Sequence, residues 1–131
     1  ICNNSFLDGI NHRVMRKSLV VDFDEIYILN LHGDVRSLDV APSGKPDENV
    51  FNIMQGVAIC FFVKKKKGAL RSDSGIYYAS VKGGRAEKYS YLSENSLPSV
   101  AWKRLEPVSP QYLLSDSRLF SVSSPYFAAM H

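Results

Sequence analysis

The sequence predicts an α/β fold, and three features carry that expectation. A stretch with helical spacing follows the first residues, a β-branched and aromatic run follows the helix, and a continuous apolar run of seven residues lies further on. The order strand, helix, strand fits a right-handed parallel crossover. Seven apolar residues in succession suit a strand covered on both faces.

Each element follows from its residues. Ile1 and Cys2 read as the tail of a buried strand entering the polar turn Asn3-Asn4-Ser5, and Asp8-Gly9 then breaks the chain. Ile10, Val14, Met15, Leu19 and Val20 fall on one helical face, with Arg13, Arg16 and Lys17 opposite, which predicts a short amphipathic helix. Residues 25–31 read as a strand stopped by His32-Gly33-Asp34. Residues 34–49 carry Pro42, Gly44 and Pro46 with little periodicity and read as an exposed loop, in which Asp47 and Glu48 are solvated acids. Residues 57–63 are the expected central strand, and a basic turn from Lys64 to Ser74 leads to a hairpin partner at 76–81, although that connection is longer than tight hairpins use. Gly83-Gly84 closes it. Beyond Tyr89 the signals weaken to one further strand at 100–105, and Pro98, Pro107, Pro110 and Pro125 punctuate an irregular tail. The expected division is a body at 1–106 and a linker at 107–131.

Composition narrows the class. A chain of 131 residues builds one core, and 45% hydrophobic with 22% charged residues excludes the signature of disorder. No apolar run approaches the roughly 18 residues that span a bilayer. The chain opens without an initiator Met or a signal peptide, so the expectation is an internal piece of a larger cytoplasmic polypeptide. Cys2 and Cys60 form no CxxC pair, which argues against a disulfide framework or zinc, and Cys60 reads as a buried thiol acting as a small hydrophobe. His12, His32 and His131 are scattered, so no metal is expected. Charge is segregated: residues 1–60 carry five basic and eight acidic side chains, whereas 61–104 carry ten basic and three acidic. A polyanion-facing surface has that pattern, because each cation near a phosphate releases counterions. A solvated basic face has it too.

Four strings, in this order and spacing, are more specific. They are Asn3-Asn4-Ser5-Phe6-Leu7-Asp8-Gly9, the helix with Met15-Arg16-Lys17-Ser18-Leu19, the run from Phe23 to Gly33, and Glu48-Asn49-Val50-Phe51-Asn52-Ile53 through Gln55-Gly56-Val57 to Lys64. Together they resemble the adenine-specific N6 DNA methylases of type IIG and type I single-polypeptide restriction-modification enzymes, over roughly residues 1 to 112. The resemblance implies a partial Rossmann-like methyltransferase sheet with a β-hairpin and an irregular tail. Asn3 to Leu7 would follow the fifth strand, 25–31 would be the sixth, and 57–63 the antiparallel seventh. Residues 1–106 would then be the C-terminal half of a methyltransferase domain, and 107–131 would lead toward a target-recognition region.

The same resemblance implies S-adenosylmethionine as cofactor, held mainly by residues outside this sequence, and double-stranded DNA and the remainder of the parent polypeptide as partners. A target adenine is flipped into a pocket, because its exocyclic amine is paired and stacked inside the duplex. The family's glycine-rich cofactor motif and its Asn-Pro-Pro-Tyr motif are absent, and the chain has no Asn-Pro or Pro-Pro dipeptide. No catalytic residue is therefore assigned, and the chain alone is expected to be inactive. Phe51 matches the aromatic that stacks on the flipped base, Asn3, Asn4 and Ser5 match the pocket loop, and Lys64, Lys65, Lys66, Lys67 and Arg71 are the candidate DNA phosphate contacts. The alternative is a non-catalytic DNA-binding or target-recognition module on the same half-fold.

Overall fold

The computed structural model describes residues 1–36, 40, 44–66, 75–107 and 112–115. Five strands form one mixed sheet: β1 (Cys2–Asn3), β2 (Glu25–His32), β3 (Val57–Val63), β4 (Gly75–Ser80) and β5 (Lys103–Leu105), in the spatial order β1-β3-β2-β4-β5. Two helices, α1 (Arg13–Asp22) and α2 (Arg85–Glu94), accompany it. β3 is antiparallel to both β1 and β2, so β1 and β2 run the same way with β3 between them, while β4 pairs in parallel with β2 and antiparallel with β5.

β2 sits at the centre because its side chains alternate between two apolar clusters. Ile26 and Ile28 pack with Phe6, Leu7, Ala58 and Tyr78, against which Leu19 and Val20 of α1 are laid. Leu29 and Leu31 pack on the other face with Val50 and Val57, against which Tyr91 and Leu92 of α2 are laid. A strand of period two between two helices therefore needs apolar residues at nearly every position, and 25–31 supplies them.

Several expectations are corrected. The helix exists, but Val14 is 70% exposed and Ile10, Met15 and Val21 are also in solvent, whereas Arg16 is fully buried. The inward face is Arg16, Leu19 and Val20 because the Arg16 guanidinium donates to three backbone carbonyls: Phe6 at 3.0 Å, Gly9 at 2.6 Å and Tyr112 at 3.0 Å. Those acceptors would otherwise be stranded under the helix. Burial lowers the Arg16 pKa and the nearby Asp8 opposes the shift.

The start of the chain is not buried, since Ile1 and Cys2 are exposed and β1 is a two-residue edge strand. β3 is covered on both sides only at its beginning. β1 pairs with Val57 and Ala58 alone, and Phe61 and Phe62 are left exposed. Cys60 is half-buried against the core, its thiol lying 3.9 Å from that of Cys2, and burial pushes its pKa up to about 12. The expected hairpin is a crossover instead, because β4 lies on the far side of β2 and is parallel to it. β3 and β4 run antiparallel to each other with β2 between them, a separation that a tight hairpin does not bridge and that fits the length of 64–74. Residues 67–74 lie outside the described residues.

α2 is missing from the sequence reading. Its polar run of good helix formers after Gly83-Gly84, with Glu87 in the first turn, was the available signal. Of the stretch read as a linker, residues 112–115 return to the body: Leu114 is buried, and its N–H donates to the Leu7 carbonyl at 2.8 Å. Residues 116–131, including His131, lie outside the described residues.

Candidate functional site

At the C-terminal end of β2 the backbone departs from regular geometry. A bulge separates Asn30 from His32 in the ladder with β3, and His32 and Gly33 follow each other with φ of 51° and 88°. Two left-handed residues in succession turn the chain out of the sheet, and such bulges and strain gather at functional sites. Gly33 is required there. Its backbone passes so close to Asn49 that a Cβ would stand 2.5 Å from the Asn49 Cα.

Beside this turn lies a cleft of about 540 Å³, lined among others by Asn4, Ser5, Asn30, His32, Gln55 and Lys82. Its amides are linked in one chain of hydrogen bonds. Arg36, ion-paired to Asp34 at 2.8 Å, donates to Gln55 Oε1 at 2.9 Å. Gln55 Nε2 donates to Asn4 Oδ1 at 3.1 Å, Asn4 Nδ2 to Asn30 Oδ1 at 3.1 Å, and Asn30 Nδ2 to the Tyr78 hydroxyl at 3.0 Å. Each amide is thereby held in one orientation. The hydrogen bonds from Arg36 hold the Asp34 carboxyl below its usual range, and Asp34 raises Arg36 in turn. Gly56 keeps the network closed, since a Cβ there would meet Asn4 Nδ2 at 2.6 Å.

A second network lies under the loop 47–55. The Asp47 side chain, expected in solvent, is only 4% exposed. It accepts from the Gly33 N–H at 2.7 Å and the Gly83 N–H at 2.9 Å, and it pairs with the fully buried Lys88 of α2 at 2.9 Å. Lys88 also donates to the carbonyls of Leu31 and Glu48. Glu48 itself is exposed. This correction has a physical cause: a buried ammonium needs a carboxylate and further acceptors, and Asp47 with the carbonyls of Leu31 and Glu48 supplies them. Neither residue carried a sequence signal, because their partners lie far away in the chain.

Phe51 is 44% exposed, so it is no core aromatic. It lines a shallow depression of about 420 Å³ with Val35, Ile53, Met54 and Arg85. The depression and the cleft share no lining residue, and the paired segments at 34–36 and 54–55 form the ridge between them. The Val35 N–H donates to the Met54 carbonyl at 3.0 Å, and Val35 and Met54 face the depression while Arg36 and Gln55 face the cleft. Of the expected pocket loop, Asn4 and Ser5 line the cleft, whereas the Asn3 side chain caps the following turn through the Ser5 N–H at 2.7 Å.

The lysine run is at the other end of the sheet. β3 is seven residues long, so Lys64 lies about 20 Å from the cleft along the strand. Lys64 and Lys66 are exposed. Lys65 is partly used by the fold, its N–H bonded to Asp24 at 2.6 Å and its ammonium 3.5 Å from Glu25. Lys67 and Arg71 lie outside the described residues. Among the described residues, Arg36 and Lys82 line the cleft and Arg85 lines the depression. Among the described residues no group of three or more His, Cys, Asp or Glu is placed to hold a metal, and no helix is long and apolar enough to cross a membrane.

No protein-family model and no curated protein matches the chain. Solved structures do. The chain is similar to part of the DrdV–DNA complex determined by cryo-electron microscopy, with a TM-score of 0.68 and 30% identity over 86% of this chain and 11% of that one. It is similar to the ATP-dependent Type ISP restriction-modification enzyme LlaBIII bound to DNA, with a TM-score of 0.68 and 29% identity over 86% of this chain and 8% of that one. A nuclease-deletion mutant of the Type ISP enzyme LlaGI with a DNA substrate mimic gives a TM-score of 0.69 at 24% identity, over 86% and 11%, a likeness of fold alone. The chain thus spans no more than 11% of the length of any of these three structures.

Proposed function

We propose that this chain is part of an S-adenosylmethionine-dependent DNA adenine-N6 methyltransferase in a cytoplasmic restriction-modification enzyme. It supplies part of the wall of a flipped-adenine pocket and part of the surface that faces duplex DNA. The observation that carries this reading is the likeness over 86% of the chain, at 29–30% identity, to two structures solved with DNA. The sheet is in keeping with it: the strand expected to be the antiparallel seventh lies between the expected fifth and sixth.

Phe51 is the base-stacking residue in this reading. Its ring is offered to solvent from a loop fixed beneath by Arg85, whose guanidinium donates to the carbonyls of Asn49 at 2.8 Å and Phe51 at 3.1 Å. Stacking on an aromatic contributes about 1–3 kcal/mol per base, comparable with the cost of unstacking one base. Asn4 and Ser5 present fixed polar groups across the ridge, suited to a base edge or a sugar-phosphate. Lys64 to Lys67 and Arg71 would meet phosphates further along the duplex.

The cofactor does not fit these residues alone. Among the described residues the cleft lining is mostly polar, with amides, the Asp34–Arg36 pair and Lys82 around Leu7. The remainder of the parent polypeptide would complete that site, and no catalytic step is assigned to this chain.

Titration calorimetry tests the division of labour. The 131-residue chain is expected to show no saturable heat with S-adenosylmethionine at micromolar concentration, and the parent polypeptide to bind it and methylate duplex adenine. Micromolar binding by the chain alone would sink the half-domain reading.

A further inference from the structure

We infer that Ile53 and Met54 form an apolar wedge that enters the base stack of duplex DNA beside the position from which a base leaves it. The inference rests on the DNA-facing reading of the same loop. Ile53 is 48% exposed and Met54 60%, next to Phe51 and the exposed Val35. Four large apolar side chains at one tip are not explained by packing.

The backbone beneath them carries the argument further. Asn49 Nδ2 donates to the Gln55 carbonyl at 2.8 Å, which closes the loop at its base, and to the Gly33 carbonyl at 3.0 Å. The Asn49 Oδ1 accepts from the Phe51 N–H at 2.8 Å. The Tyr89 hydroxyl donates to the Val50 carbonyl at 2.6 Å, and Arg85 reaches the carbonyls of Asn49 and Phe51 and the Asn52 Oδ1 at 2.9 Å. With the Val35 N–H on Met54, the carbonyls of residues 49, 50, 51, 54 and 55 are all bonded from inside the protein. A tip with these acceptors already satisfied can leave water without stranding them, and a loop already ordered loses little entropy on insertion.

The chemistry of the tip selects the occupant. Ile and Met are among the side chains that wedge between base steps, and Met adapts to an irregular gap. A stable protein partner needs a much larger apolar area than three or four side chains provide. A base step needs only one or two.

The test uses a duplex selected for binding from a random-sequence pool, with 2-aminopurine placed at successive positions. Wild-type protein should raise the fluorescence at one step by about twofold or more, as unstacking does. The Ile53→Ala/Met54→Ala variant should lose most of that rise while keeping the salt dependence of its affinity, and Met54→Leu should keep the rise. Binding with no rise at any position, or a rise indifferent to the double variant, overturns the wedge and leaves the DNA-facing reading standing. If selection yields no bound duplex, both readings fall together. Wild-type self-association that the double variant abolishes in sedimentation would overturn the wedge in favour of a protein contact.

Discussion

The two ends of the β2–β3 pair are built on different principles. At the end where β2 leaves the sheet, polar side chains are bonded to one another and to backbone: Asp47, Lys88, Asn49 and Arg85 fix a loop, and Gln55, Asn4 and Asn30 fix the wall of a cleft. At the end where β2 begins, Lys65 is tied to Asp24 and Glu25, and Lys64 and Lys66 project into solvent. The first end is preorganised and shape-bearing, suited to holding a base or an edge in one geometry. The second presents charge without fixed geometry, suited to phosphates, which carry no sequence information. A cation count along the chain sees only the second.

Breaking the first end should be costly. Lys88→Met leaves the buried Asp47 carboxylate without its cation and is expected to destabilise by about 3–5 kcal/mol, read as a fall in the denaturant midpoint. The double variant with Asp47→Asn should recover part of that loss, and strict additivity would mean that the pair is not coupled. Gly33→Ala follows, at about 1–3 kcal/mol from the left-handed backbone alone, with the Cβ contact against Asn49 adding to it. A melting curve unchanged within error would show that the 47–55 loop is not locked to β2.

The lysine end should behave in the opposite way. Lys64→Ala and Lys66→Ala should each change stability by less than about 0.5 kcal/mol. If the parent enzyme uses them on DNA, each lost contact lowers the slope of log affinity against log salt by about 0.9, equally on specific and non-specific duplexes. An unchanged slope would return them to a solvated face.

What was legible in the sequence follows the same divide. β2 is readable because an apolar strand between two layers records its burial locally, β3 because an unbroken β-branched and aromatic run favours a strand even where it is only partly covered, and α1 is readable as a helix by spacing. Its orientation was not. Arg16 faces inward for the carbonyls of Phe6, Gly9 and Tyr112, and one of those lies 96 residues away. Asp47 and Lys88 are 41 positions apart and each reads alone as a solvated charge. The partner of β4 is not legible because strand spacing does not say which edge of the sheet is free, and the length of 64–74 argues only against a tight hairpin. The resemblance singled out Asn4, Ser5 and Phe51. It did not foresee the ridge between them or the network that holds the loop.

Phe51 decides the account most directly. Phe51→Ala in the parent enzyme should leave stability within about 0.5 kcal/mol, because the ring is exposed, and should cut methylation of a paired target adenine. The loss should shrink when the adenine is mispaired, since a loosely held base needs less help outside the helix. A variant that methylates paired and mispaired adenines at the wild-type rate, or loses activity equally on both, would contradict base stacking by Phe51.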